Sequence, residues 1–324
     1  MAKVLFKEYL WLIAQLAKED KTFAELQESW RYRLEYDDDQ RELAEKTFYN
    51  WRQKIPGTFG AIIEKVPGTQ KYTITNRHSL FKDDATRWLL QSMAISNAVA
   101  ESKNMRDRVI LEHVPSGEVW LEDIMRALQN TKVIEMQYTK FGQERGNHNF
   151  KVAPLGLKMH ERRWYLLAND LSETAHNDEK LSKWDKFGVI KVYALDRIDR
   201  LWVLPETFKY PKGFSTRAYF AEFYGVWANY TTPLERVLIE VPYWQVPYVD
   251  NLPFHPSQKK IEENEKTAIY ELRLRPEPDF MRAMLYQGID VKVIEPQWLH
   301  DRMAEWTAQM SCMYNPDSFE TDEE

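Results

Sequence analysis

Arg163-Trp164-Tyr165-Leu166-Leu167 and, about thirty residues on, Leu195-Asp196-Arg197-Ile198 decide how this chain is read. Alone, a Trp-Tyr-Leu triplet is a short strand, and in most proteins it only fills one side of a sheet. Its surroundings say more. Val133-Ile134-Glu135-Met136-Gln137-Tyr138 and Lys151-Val152-Ala153-Pro154-Leu155 come before it, and Trp202-Val203-Leu204-Pro205-Glu206-Thr207-Phe208 follows. The apolar pattern predicts five strands, 133–138, 150–157, 164–168, 190–194 and 198–204. Gly142, Gly146 and the polar stretch 172–186 supply the turns. Five short strands at this spacing suit a small closed barrel.

Upstream of the strands the period is helical. Leu5, Tyr9, Leu12, Ile13 and Leu16 recur every three or four residues and predict a helix over 4–17. Thr22, followed at the third position by Glu25, predicts a capped second helix running to about Tyr32. Residues 35–39 are an acidic, solvated turn. A third helix is expected from Gln40 to Ile55, stopped by Pro56-Gly57. Leu43, Ala44, Phe48, Trp51 and Ile55 form its apolar stripe, and Lys46, Thr47, Tyr49, Asn50, Gln53 and Lys54 its polar face. Strands 62–66 and 71–74 around Pro67-Gly68-Thr69-Gln70 read as a hairpin. Three helices and a basic hairpin describe a winged helix-turn-helix, or else a small helical domain with a solvated face. In the first case Lys46, Thr47, Tyr49, Asn50, Gln53 and Lys54 meet base edges and phosphates, and Lys65 and Lys71 lie along the backbone.

Between these parts, residues 82–102 predict one long helix, 109–112 a short strand, and 118–129 another helix. Beyond the barrel, 213–232 is aromatic and irregular. The last part reads strand 236–241, strand 267–274, helix 276–287, strand 291–294 and helix 296–310. The expected organisation is therefore α+β and multidomain. Residues 1–77 form the winged domain and 78–130 a helical connector that could serve as a dimer interface. Residues 131–210 form the barrel, 211–232 a crossing segment, 233–312 an α+β extension and 313–324 an acidic tail.

A hydrophobic fraction of 44% over 324 residues excludes a largely disordered chain. No apolar run is long enough to span a membrane, and the first helix, with Lys7 and Glu8 inside it, is not a secretory signal. One cysteine, Cys312, excludes an internal disulfide, and the histidines, His148 and His255 among them, show no metal-ligand spacing. The net charge of −6 is uneven: +3 over 40–71, +3 over 131–210, and −8 over 211–324. Local excess is what a phosphate backbone meets. No Gly-rich phosphate loop, nucleophile elbow or His/Cys/Asp constellation marks an enzyme.

In this order, Tyr138, Lys151-x-x-Pro154, Arg163-Trp164-Tyr165-Leu166, Lys191-x-Tyr193-x-Leu195-Asp196-Arg197-Ile198 and Phe208 resemble the WYL-domain transcription regulators. Leu252-Pro253-Phe254-His255-Pro256-Ser257-Gln258 and 291–296 are similar to the C-terminal WCX extension of that family. The resemblance covers roughly residues 4–310. It implies a cytoplasmic, bacterial, homodimeric regulator without cofactor or metal. Its Sm-like barrel would sense a single-stranded nucleic acid or nucleotide, and its winged domain would bind a double-stranded DNA operator. It also implies an effector site at Tyr138, Lys151, Tyr165, Lys191 and Arg197, with cations for phosphate and rings for bases. Arg197 could instead pair with Asp196 or Asp199. Family members favour Arg at the position of Lys191 and often carry another at that of Ala194. Trp164 and Leu166 read as barrel core. The competing function is an RNA- or single-stranded-DNA-binding module without operator-specific duplex binding.

Overall fold

The computed structural model describes residues 2–34, 42–82, 87–88, 92, 114–140, 142, 149–173 and 182–315. The acidic turn at 35–39, most of the helix expected at 82–102, the strand expected at 109–112, Gly146, His148 and the tail from 316 lie outside them. The chain divides into two compact units, Met1–Glu112 and His113–Glu324.

In the first unit the apolar period buries one face of each helix. α1 (Ala2–Lys18) turns Tyr9, Leu12, Ile13 and Leu16 inward. β1 (Lys21–Thr22) leads into α2 (Phe23–Leu34), which contributes Leu26 and Trp30. The cap is reciprocal, as the sequence predicts. The Glu25 amide donates to Thr22 Oγ1 at 3.2 Å, and the Thr22 amide to Glu25 Oε2 at 2.6 Å. α3 (Glu45–Phe59) buries Phe48, Trp51, Ile55 and Phe59. It starts later than expected, with exposed Ala44 as its N-cap, and runs through Pro56. Phe59, one turn beyond Ile55, is buried with it and keeps the last turn helical. The stop is Gly60, whose φ of 68° lets its amide reach Pro56 O at 2.9 Å. β2 (Ile63–Lys65) and β3 (Lys71–Ile74) form the expected hairpin, and β1 extends it into a sheet of order β1-β3-β2. α4 (Arg77–Lys82) follows. Arg52 ties helix to hairpin. Its guanidinium donates twice to Ile63 O at 3.2 Å and stacks 4.8 Å from the Tyr72 ring.

The second unit opens with a 3-10 turn, Glu118–Trp120, and α5 (Leu121–Gln129). α5, in the stretch read as connector, packs Ile124 and Ala127 against the sheet. All five strands predicted in 131–210 are present: β4 (Lys132–Tyr138), β5 (Asn149–His160), β6 (Arg163–Asp170), β7 (Ile190–Ala194) and β8 (Ile198–Thr207). They form one antiparallel sheet of order β7-β6-β5-β4-β8, so β7 and β8 are its edges. β6 shows the alternation that makes the motif a fold signal. Leu166 and Ala168 enter the core beneath α5, with Trp164 packed against it. Leu167 enters a second core on the other face, with Trp184, Phe214, Tyr219 and Phe220. That second core brings in the aromatic segment after β8, whose one helix is α6 (Thr216–Phe220).

The remaining residues build a four-stranded antiparallel sheet, order β10-β11-β9-β12. Its strands are β9 (Glu235–Pro242), β10 (Lys259–Glu263), β11 (Thr267–Leu274) and β12 (Lys292–Glu295). Three helices accompany it: α7 (Val246–Asn251), α8 (Pro278–Tyr286) and α9 (Gln297–Tyr314). The sequence shows three of the four strands and two of the three helices. β10 escapes it because all five of its residues are exposed, which leaves no apolar alternation.

Candidate functional site

The first unit offers one surface. With Phe48, Trp51, Ile55 and Phe59 buried, the opposite side of α3 carries Lys46, Tyr49, Asn50, Gln53 and Lys54 in solvent and Thr47 half-buried. Tyr49 is 57% exposed. Lys65 and Lys71 are exposed on the hairpin, and Lys65 Nζ donates to Gln70 Oε1 at 2.5 Å.

The second unit contains a cleft of about 1270 Å³. One wall is β7, all five of whose residues line it. Around it stand Tyr138 and Tyr165 from the sheet, Arg197 from the 3-10 turn between β7 and β8, Tyr224 and Trp227 from the segment after α6, and Arg282 and Tyr286 from α8. Arg197 stacks 5.0 Å from the Tyr138 ring and donates through Nε to Thr139 O at 3.0 Å. Arg163 is held by Asp196 at 2.6 Å, which raises its pKa further. Lys191 lies 3.1 Å from Asp170 and 2.5 Å from Glu173. Arg282 and Lys140, also lining the cleft, are exposed and make no ion pair among the described residues.

Behind the cleft, Lys158 donates to Gly225 O and lies 4.4 Å from the Phe220 ring. Burial pushes its pKa down to about 8, against the pull of Asp279. Burial likewise lowers His160. Asp279 Oδ2 accepts the Trp227 amide at 3.1 Å, which joins α8 to the segment after α6. A Cβ on Gly225 would collide with the same carboxylate, so any larger residue there requires Asp279 to shift.

The WYL domain family matches residues 119–203, and the WCX domain family matches residues 234–311. The chain belongs to the WYL-domain proteins. No curated protein matches it in sequence. Among solved structures it is similar to proteasome accessory factor B/C (PafBC) of Arthrobacter aurescens, at 19% identity and TM-score 0.34. That match covers 99% of this chain and 48% of the other, so the chain spans about half the length of PafBC. It is also similar to a CRISPR Cas-related protein, at 11% identity and TM-score 0.36, covering 89% of this chain and 77% of that one.

The cleft therefore lies between the sheet of the WYL domain and helix α8 of the WCX domain. Four residues named from the sequence, Tyr138, Tyr165, Lys191 and Arg197, line it together. The fifth, Lys151, does not. It is exposed and paired with Glu206 at 3.0 Å, across β4 on β8. Of the two acids named for Arg197, Asp196 holds Arg163, and Asp199 Oδ2 accepts Thr139 Oγ1 at 2.5 Å. Sequence reasoning missed Arg282 and Tyr286, which stand one turn apart on α8. Among the described residues no group of His, Cys, Asp and Glu could hold a metal, and no helix is long and apolar enough to cross a membrane.

Proposed function

We propose that this WYL-domain protein is a ligand-responsive, DNA-binding transcription regulator. In this reading the first unit is a winged helix-turn-helix, with α3 in the major groove and the β2–β3 hairpin along the phosphate backbone. The order α1-β1-α2-α3-β2-β3 supports it. The observation that carries it is the outer face of α3. Lys46, Tyr49, Asn50, Gln53 and Lys54 stand in solvent with no side-chain partner among the described residues, on a helix whose other face is buried in the core. Asn and Gln pair with adenine, and Lys with guanine or phosphate.

The WYL sheet is read as a small Sm-like barrel, supported by a helix preceding five antiparallel strands, with β8 returning to β4. Its cleft takes a single-stranded nucleic acid or a nucleotide. Cations for phosphate and several rings for bases support that ligand. A cytoplasmic homodimer without cofactor or catalysis completes the reading, on the family resemblance alone.

The test is binding to duplex DNA from the gene's own upstream region across a salt series. Saturable, salt-sensitive binding to a defined duplex is expected. Folded protein that binds no duplex would overturn the reading. The aromatic, basic cleft also favours a second reading, a single-strand-binding module that ignores duplex DNA. Arg197→Ala separates them. Duplex binding survives it if the cleft is a sensor, and all nucleic-acid binding falls if the cleft is the principal site.

A further inference from the structure

We propose that the free edge of β7 reads the base of the ligand in the cleft, through main-chain groups rather than side chains. The proposal rests on the reading of the cleft as a nucleotide or single-strand site. The Asp170 amide donates to Val189 O at 2.8 Å. Bonded and non-bonded pairs alternate along an antiparallel ladder. The register Asn169↔Ile190, Leu167↔Val192, Tyr165↔Ala194 therefore turns the N–H and C=O of 190, 192 and 194 away from β6. Ala194 shows the same phase independently: its amide donates to Tyr138 Oη at 3.2 Å, not to β6. That leaves the main-chain groups of Ile190 and Val192 pointing outward, on an edge that no strand pairs among the described residues. Both residues line the cleft.

Main-chain polar groups in a partly enclosed site are seldom left without a partner. Ile190 C=O and Val192 N–H lie on the same edge, an acceptor followed by a donor. A base offers an adjacent donor and acceptor of its own. The surroundings favour a base over an added peptide strand. Arg282 and Lys140 supply charge for a phosphate, and Tyr165, Trp227 and Tyr286 supply rings for stacking. Tyr138, held by Ala194 and stacked on Arg197, closes one end of the edge. Such contacts separate a base-bearing ligand from a bare sugar-phosphate.

The test compares a fluorescent single-stranded pentanucleotide with an abasic pentamer of the same charge, by anisotropy on the full chain. Val192→Pro removes the outward N–H without touching the bonds to β6, and Val192→Ala controls for the side chain. Wild type and Val192→Ala should prefer the base-bearing pentamer equally. Val192→Pro should lower that preference by about two- to tenfold, with abasic affinity unchanged. An unchanged preference in Val192→Pro overturns the proposal. If wild type binds neither pentamer, the cleft reading falls and the proposal with it. Hydrogen exchange on unmodified protein covers a variant that fails to fold. The Val192 amide should be protected by the base-bearing pentamer and not by the abasic one. Protection present without ligand and growing with protein concentration would mean strand pairing between copies, and would overturn the proposal.

Discussion

The ammonium of Lys191 lies 3.1 Å from the carboxylate of Asp170, whose side chain is only 5% exposed. The same carboxylate accepts the Tyr193 hydroxyl at 3.0 Å and the Ser172 amide at 3.0 Å. Burial alone would raise the Asp170 pKa, but the hydrogen bonds from Ser172, Lys191 and Tyr193 outweigh it and hold the group below the usual carboxylate range. A carboxyl lowered on folding stabilises the protein above its unfolded pKa and loses that contribution as pH falls through its folded value. Asp170→Ala should therefore cost about 3 kcal/mol in urea unfolding at neutral pH. Asp170→Asn should flatten the acid limb of the stability curve. An acid limb as steep as wild type's would show that the network contributes nothing.

Lys158 gives the opposite limb. Its pKa is pushed down to about 8 from an ordinary 10.5, so between those values the folded chain binds fewer protons than the unfolded chain. Stability then rises with pH across that window. The urea midpoint of wild type should climb between pH 7.5 and 9.5 relative to Lys158→Met. Parallel curves for the two proteins would dismiss the effect.

Gly117 sits at φ 68°, and a Cβ there would collide with main-chain atoms of Leu195 and Asp196. Main chain cannot swing aside as a side-chain tip can. Gly117→Ala should destabilise the second unit by roughly 3 kcal/mol, strain and overlap combined. A loss under about 1 kcal/mol in calorimetry would mean that the turn relaxes freely.

Lys151 and Arg197 separate the expected effector site from the one the cleft outlines. Lys151→Ala breaks only an exposed pair with Glu206 and should leave oligonucleotide affinity unchanged. Arg197→Ala should weaken it about tenfold, roughly 1.4 kcal/mol. Titration of a labelled oligonucleotide ranks the two, and the reverse order would return the site to the outer face of β5.

On α3, Lys54→Ala should weaken duplex binding on every sequence and lower the salt slope by about one. Asn50→Ala should instead relax preference at one base, by about 1–3 kcal/mol. Competition with mutated duplexes over a salt series distinguishes the two patterns.

The sequence showed what buries a face. The five WYL strands and the helices α1, α2, α5 and α9 are marked by apolar residues at their own period, so their existence was legible and only their ends moved. What buries nothing was not legible: β10 is exposed throughout, and β1 is two residues long. The Pro56-Gly57 stop failed because a tertiary contact, Phe59 in the core, outweighed a local signal. Four cleft residues were legible because they belong to the segments of one motif, on β4, β6, β7 and the 3-10 turn after β7. Lys151, named with them, lies outside the cleft and pairs with Glu206, 55 residues further along the chain. Arg282 and Tyr286, the latter 88% exposed, reach the site only through the packing of WCX helix against WYL sheet, which no local spacing encodes.

The guanidinium of Arg52 spans α3 and the hairpin, with two hydrogen bonds to Ile63 O and its plane against Tyr72. Helix and hairpin thus cannot tilt independently. Whatever this unit binds meets a preformed surface. Little ordering entropy is then lost on contact, and a misfit at the hairpin is felt at the helix. Discrimination between targets becomes a matter of shape tolerance as much as of individual contacts.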